Sequence, residues 1–196
     1  MTRRLVCQAT AFVALMLSIT AVVPAADEPA AKKPAAPAAE FLVGEVHYQT
    51  LPDVQYLHAA AETTFEKQME VINKYLPKLR EGLQSGAIVT QGSCLFIYKG
   101  VNPEDMSKPF TLEIGWVVPE KARDLGDFKV GKVEGGRCAT MLFTGRMTDV
   151  GKAYEKLIPA VMASGNIPKG EARELYLHWE AADSPNNVIQ IQMPLK

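Results

Sequence analysis

Hydrophobic and polar residues alternate along the stretch RELYLHW near the end of the chain. Leu175 and Leu177 fall on one face of the strand that this alternation predicts, and Glu174, Tyr176 and His178 fall on the other. We expect the leucine face to belong to a core. The other face places a carboxylate beside an aromatic ring, so it is either solvated or lines a pocket in which Glu174 supplies the charge.

The same order of elements occurs twice. FLVGEV at residues 41–46 recurs as FKVGKV at residues 128–133, and each copy leads through a strand into a helix. The helix is followed by two strands, SCLFIYK and FTLEIGWVV in the first half, RELYLHW and NVIQIQMPL in the second. This pattern predicts an α+β domain built from a duplicated strand-helix-strand-strand unit, with halves at about 41–119 and 128–196. The two halves should form an antiparallel sheet with one main helix each and a pseudo-two-fold groove, a favoured place for ligands.

The two predicted helices share an unusual feature. TTFEKQMEVINKYLPKLREGLQSG and TDVGKAYEKLIPAVMASG each carry a late proline, Pro77 and Pro159, which should kink or end the helix. Thr63 and Thr148 are the predicted N-caps, and Gly165 is the predicted C-terminal stop of the second helix.

The first residues, MTRRLVCQATAFVALMLSITAVVPAADEP, have the pattern of a targeting segment. Arg3 and Arg4 precede an apolar run over residues 5–23, and a small-residue cleavage pattern follows. We predict a signal peptide over residues 1–25 and a Pro/Ala-rich linker over 26–40, which gives a periplasmic or secreted protein. An uncleaved segment would instead anchor the chain, and only then would the protein contact a membrane.

Residues 41–196 have the composition of one globular domain. The formal net charge of the chain is −1, and this region contains no basic run, so we expect no nucleic-acid partner. Cys94 and Cys138 could form a disulfide after export or remain buried free thiols. The histidines lack metal-ligand spacing with cysteines or carboxylates, so we predict neither a metal nor a cofactor. They are His47, His58 and His178.

Several marks of the second half occur together: GGR before a strand, Gly145 ahead of the helix, Glu174 and Tyr176 as E-x-Y, and the terminal QIQMP. In this order, and with the duplication, residues 41–196 resemble the GyrI-like small-molecule-binding domain, also called the bacterial transcription-activator effector-binding domain. The resemblance implies that an amphipathic, often cationic organic molecule binds in a groove between the halves. It also implies that Glu174 is the buried counter-charge and that Tyr176 is its neighbour on the same face.

Two positions depart from the family pattern. Arg146 and Met147 stand where an aromatic residue usually follows the glycine, and Gln190 stands where the last strand usually carries an acidic residue. We expect Arg146 to be able to pair with Glu174 and cancel its charge.

Aromatic residues supply the predicted walls of the site. Aligning Tyr98 with Tyr176 in the repeat gives Phe96 the position equivalent to the glutamate, so the first half would contribute an apolar, aromatic face. Trp116 is a further candidate, because aromatic faces attract cations, whereas Trp179 falls on the leucine face and should be core or loop edge. The predicted ligand-binding residues are Glu174, Tyr176, Phe96, Tyr98, Trp116 and His178.

Three functions remain open at this point. The first is an exported protein that binds a small organic molecule for sequestration, sensing or delivery. The second, which the resemblance also implies, is a hydrolase in which Glu174 acts as general base or acid; we find no evident second catalytic group and favour a non-enzyme. The third is a periplasmic protein-interaction module that uses the same groove for a protein partner.

Overall fold

The computed structural model describes residues 41–102 and 104–196, so the predicted signal peptide and linker lie outside the described residues. No helix in the described part of the chain is long and apolar enough to span a membrane. The elements in chain order are β1 Leu42–Val43, β2 His47–Leu51, β3 Val54–Thr63, α1 Gln68–Gln84, β4 Cys94–Lys99, β5 Phe110–Val118, β6 Lys129–Val133, β7 Gly136–Thr144, a 3₁₀ turn Met147–Asp149, α2 Gly151–Ala163, β8 Glu171–His178 and β9 Val188–Pro194.

All strands belong to one antiparallel sheet, in which the neighbouring strands run β1, β7, β9, β8, β4, β5, β3, β6, and β2 also pairs with β7. The six central strands read outward from the β4–β8 pair in the same order on both sides. The order is β4, β5, β3 on one side and β8, β9, β7 on the other, so equivalent strands of the two repeats occupy equivalent places. The predicted α+β fold with a duplicated unit and a pseudo-two-fold axis is therefore confirmed.

Each repeat is preceded by a short strand, β2 or β6, that pairs with the other half of the domain. β2 precedes β3 but pairs with β7, and β6 precedes β7 but pairs with β3. The two short connections meet, because the Gly135 amide donates to Asp53 Oδ1 at 2.7 Å. A side chain at position 135 would clash with the Leu51 carbonyl, which explains the glycine. The sheet consequently curls into a half-barrel.

Both helices pack on the same face of the sheet and form separate cores. α1 contacts β3 and β5, and α2 contacts β7. On α2, Ala153, Leu157 and Val161 recur every four residues and are fully buried, which is the periodicity of a helix with one apolar stripe. Burying each of the larger side chains contributes roughly 1.5–3 kcal/mol to folding. The strands β8 and β4 run between the two helix-covered regions; we call their line of contact the seam.

The predicted helix ends are only partly right. Gly165 has φ of +73° directly after α2, as expected of a C-terminal stop. Thr63 is the last residue of β3 and Thr148 lies in the 3₁₀ turn, so neither is an N-cap. Pro77 and Pro159 lie inside α1 and α2, and both helices continue for several residues beyond them.

The sheet face away from the helices has its own small core of Tyr56, Leu95, Ile97 and Val133. Two charged pairs lie on this face. Lys99 Nζ lies 2.7 Å from Glu113 Oε1, and the Arg173 guanidinium contacts Glu171 and donates to the Glu134 carbonyl at 2.9 Å.

The leucine face of β8 is therefore not the main core, contrary to expectation. Leu175 packs against the small core, but Leu177 is 48% exposed. The face that carries Glu174 is the one the helices cover.

Cys94 and Cys138 are both free thiols. Cys94 is the cross-strand partner of Tyr176 on the helix-covered face. Cys138 precedes Ala139, which packs in the α2 core, so its side chain points to the opposite face. The sheet itself thus separates the two sulfurs. Burial raises the pKa of Cys94 to about 12 and that of Cys138 to about 11, which keeps both thiols protonated.

Candidate functional site

The seam places the predicted acidic residue in the interior. Register between β4 and β8 makes Phe96 the cross-strand partner of Glu174 and Cys94 the partner of Tyr176. Phe96, the repeat equivalent of Glu174, is thus also its direct neighbour, because the pseudo-two-fold axis passes between these strands. Glu174 is only 3% exposed, so the side chain is shielded from water on the helix-covered face.

Three tyrosine hydroxyls donate to the Glu174 carboxylate. Tyr154 of α2 donates to Oε1 at 3.0 Å. Tyr98 of β4 and Tyr176 of β8 donate to Oε2, at 3.1 and 2.8 Å. Both repeats and both kinds of element therefore meet at one carboxylate, and most of its lone-pair sites are occupied.

Two opposing effects act on the pKa of the Glu174 carboxyl group: burial and hydrogen bonding. Burial raises the pKa of Glu174, while the hydrogen bonds from Tyr176, Tyr154 and Tyr98 lower it in part. No ion pair to Glu174 occurs within residues 41–102 and 104–196. Burial, and next the charge of Glu174, raise the pKa of all three tyrosines well above the usual value, so each stays a neutral donor.

Aromatic rings surround the carboxylate in two layers. Tyr98 and Phe96 are buried beside it, and Phe96 packs on Tyr176 with 4.9 Å between ring centroids. Tyr154, Tyr176 and Trp179 are only half-buried and form the outer layer. Trp179 meets the Tyr176 ring edge-on at 5.7 Å. A molecule that approaches the seam from solvent meets these outer rings before it meets the charge.

The carboxylate is covered in this structure. Two surface clefts lie elsewhere in the described residues, one where the α1 residues Lys78 and Glu81 face Asp127 and one at the start of α1 around Lys67. Glu174 lines neither of them. The Glu174 side chain is thus shielded from water, and a ligand can reach it only when the outer aromatic side chains move aside; its part in ligand binding stays a prediction.

The structure brings together most of the residues that the sequence analysis selected. Glu174, Tyr176, Phe96 and Tyr98 are in one cluster. Trp116 is the cross-strand partner of Cys94, so it lies on the same sheet face, and it packs against the α1 core.

His178 is not brought to this cluster. A β-bulge between Tyr176 and His178 interrupts the alternation of β8. The side chain is 55% exposed, and its Nε2 lies 3.3 Å from Glu180 Oε1. Any part that His178 plays in ligand binding stays a prediction.

Two residues at the site were missed. Tyr154 lies three residues before the buried Leu157 and therefore on the sheet-facing side of α2, so the helical pattern contained a signal for it. Trp179 was assigned to the leucine face, but the bulge after Tyr176 reverses the alternation and turns its ring onto Tyr176. No feature of the sequence predicted that bulge.

The two departures from the family pattern lie away from the carboxylate. Arg146 is exposed and makes no ion pair with Glu174, contrary to the expectation that it could cancel the charge. Gln190 is on the opposite sheet face, where its Oε1 accepts a hydrogen bond from Gln192 at 2.8 Å.

A family model, the GyrI-like small molecule binding domain, matches residues 44–196. The chain belongs to this family. The family assignment that the sequence resemblance implied is thereby confirmed. No curated protein matches the chain.

Solved structures share the fold at low sequence identity. The EcmrR C-terminal domain is 18% identical with a TM-score of 0.63, over 78% of this chain and 98% of that one. The EcmrR chain in the EcmrR–DNA complex is 16% identical with the same TM-score, and the match covers 78% of this chain but only 57% of that EcmrR chain. SAV2435 bound to tetraphenylphosphonium is 15% identical, with a TM-score of 0.58 over 78% and 94% of the two chains. A hydrolase from Listeria innocua is 12% identical, with a TM-score of 0.50 over 78% and 92%.

The raised pKa of Glu174 predicts a pH dependence of stability. The folded protein holds the proton more tightly than an unfolded glutamate, whose pKa is about 4.5, so this contribution is complete below that pH. It is lost as the pH rises through the folded pKa. In urea unfolding at a series of pH values, we expect the free energy of unfolding to fall more steeply with pH in the wild type than in Glu174→Gln.

Glu66→Gln, at an exposed glutamate, is the control and should keep the wild-type profile. Identical pH profiles for the wild type and Glu174→Gln would show that the carboxylate is not destabilised by its surroundings.

Proposed function

We propose that this protein is an exported carrier or sensor that holds an amphipathic organic cation at the seam, with Glu174 as its counter-charge. The observation that carries the proposal is a buried carboxylate that has three hydroxyl donors and, among the described residues, no cationic partner. What is shown of the family is small-molecule binding; the cation, the counter-charge and the export are the proposal.

The energetics favour a positively charged ligand. An ionised carboxylate away from water costs several kcal/mol unless an opposite charge or strong hydrogen bonds compensate it. Three neutral hydroxyl donors offset only part of that cost. A cation placed against Glu174 would supply the missing charge, and the faces of Tyr154, Tyr176 and Trp179 would add cation–π attraction.

The surroundings of the seam favour a large apolar ligand. Ile158 and Met162 follow Tyr154 by one and two turns on the same side of α2, and they are 42% and 61% exposed. Methionine adapts to different shapes because it is unbranched and flexible. A ligand that displaced Tyr154 could therefore also contact exposed apolar side chains on this side of α2.

One structural neighbour suggests a probe. SAV2435 was solved with tetraphenylphosphonium, a large aromatic cation without hydrogen-bond donors. At 15% identity the likeness shows the fold alone, but a cation of this kind matches a carboxylate whose lone pairs are already largely taken by tyrosines.

A hydrolase is the second candidate function. One neighbour of the same fold is named a hydrolase, and a buried glutamate with a raised pKa suits general acid or base chemistry. Against it, the groups hydrogen-bonded to Glu174 are all tyrosines whose pKa is raised, so the contacts supply no second base.

The ligand prediction uses two ions of equal shape and opposite charge. Tetraphenylphosphonium should raise the melting temperature and bind in calorimetry, whereas tetraphenylborate should do neither at similar concentration. Glu174→Gln should weaken phosphonium binding at least about tenfold. Glu113→Gln, at a glutamate that is also buried but on the opposite sheet face, should bind like the wild type. Equal binding of both ions would contradict the counter-charge, and binding of neither would favour the protein-interaction module.

The hydrolase alternative has its own measurement. We expect the purified protein to cleave activated aryl esters no faster than buffer does. Turnover that is lost in Glu174→Gln but retained in Glu113→Gln would instead establish the enzyme.

Export predicts a shortened chain. The protein recovered from the periplasm or medium should have the mass of residues 26–196, because the basic, apolar and small-residue regions of the first 25 residues fit a cleaved signal peptide. Recovery of the full mass in the membrane fraction would support an uncleaved anchor, and recovery from the cytoplasm would contradict export.

A further inference from the structure

The side chains in contact with Glu174 are neutral. β4 presents Tyr98 and Cys94, β8 presents Tyr176, and α2 presents Tyr154. From β9 the cross-strand partner is Ile191. From α1, the Arg80 guanidinium lowers the pKa of the Cys94 thiol, whereas the pKa of Glu174 is set by burial and by the three tyrosines. In the described chain the carboxylate therefore has no fixed positive charge to hold it ionised.

We propose that the seam exchanges a proton for its ligand: Glu174 carries a proton when the seam is empty and gives it up when an organic cation binds. This inference rests on the proposed function and adds its regulation. Its reaction is balanced, since the neutral carboxyl group and the cation give a carboxylate–cation pair and one proton, which passes to the buffer.

The hydrogen-bond geometry accommodates both states. With Glu174 ionised, all three tyrosine hydroxyls donate to it. With Glu174 protonated, its own O–H can donate to the oxygen of Tyr176, which lies 2.8 Å from Oε2, the shortest of the three contacts. The hydroxyl hydrogen of Tyr176 then has another acceptor, because this hydroxyl also lies within hydrogen-bonding reach of the Tyr98 hydroxyl.

Electrostatics fix the direction of the exchange. Burial raises the pKa of the empty-site carboxyl group, against the opposing effect of the tyrosine hydrogen bonds. A cation within a few ångströms lowers it again, because an opposite charge favours the ionised form. Between these two pKa values, binding releases up to one proton, and the affinity for the cation rises up to tenfold per pH unit. Above the higher pKa the affinity is constant.

This linkage makes ligand release sensitive to acid. A bound cation would be expelled as the pH falls, because protons compete for the same carboxylate. A neutral ligand of the same shape would not be expelled in this way, since it leaves the carboxyl group protonated.

The test is calorimetry with tetraphenylphosphonium on the mature protein at several pH values, in pairs of buffers that differ in ionisation enthalpy. The difference in apparent enthalpy between the buffers gives the number of protons released. We expect a value that approaches one in the window where the affinity rises with pH, and that falls toward zero above it. Triphenylphosphine oxide, a neutral probe of similar shape, should release no proton.

Tyrosine variants separate this mechanism from a merely structural role. Tyr98→Phe and Tyr154→Phe each remove one donor from the ionised carboxylate, so the midpoint of proton release should move to higher pH in both. Using two variants keeps the test valid if one of them folds poorly. Tyr75→Phe, on α1 against Phe128 and away from the seam, should leave the midpoint unchanged.

The outcomes distinguish this inference from the function on which it rests. Phosphonium binding with no proton release and a pH-independent affinity would overturn the exchange and leave the binding function standing. Midpoints in Tyr98→Phe and Tyr154→Phe that match the wild type would also overturn it. No phosphonium binding at any pH would remove both proposals.

Discussion

The burial of one uncompensated carboxylate is the constraint to which the rest of the site is fitted. Glu174 is placed by the β4–β8 register at the centre of the sheet, under the face on which both helices pack. Tyrosines from β4, β8 and α2 converge on this carboxyl group and offset part of the cost of burying it. Correct geometry at the carboxylate thus depends on the docking of α2 as well as on the pairing of the strands, which couples the site to the fold.

The duplicated architecture explains how such an asymmetric site arises at a symmetric position. Phe96 and Glu174 occupy equivalent places in the two repeats, and the pseudo-two-fold axis makes them cross-strand partners. One repeat contributes an aromatic ring and the other a charge. Strands β2 and β6, which each pair with the other half, join the two halves away from the seam, so the seam is held from both sides.

Sequence periodicity predicted the α+β class, the duplication and the side of β8 on which Glu174 lies. It could not say which face the helices would cover, because alternation with a period of two fixes only that the faces differ. Leu175 and Leu177 were therefore assigned to the core, although Leu177 is exposed. The positions of His178 and Trp179 depended on a bulge that no local signal marks. Tyr154 is different, since its spacing from Leu157 already placed it on the buried side of α2.

The two buried glutamates of this sheet show why burial alone does not identify a functional residue. Glu113 is 7% exposed, and burial followed by the charge of Glu171 raises its pKa to about 7, but it accepts a hydrogen bond from Tyr56 and has Lys99 at 2.7 Å, so a cation already stands beside it within the fold. Glu174 has comparable burial and more hydroxyl donors, but it has no cation in the described residues. We expect a glutamate that is buried for structural reasons to have a counter-charge in the fold. Burying a charged pair is costly, and burying a charge without its partner costs still more. Glu174 has no such partner in the described residues, and this difference from Glu113 is what supports the proposed exchange of a proton for a cationic ligand.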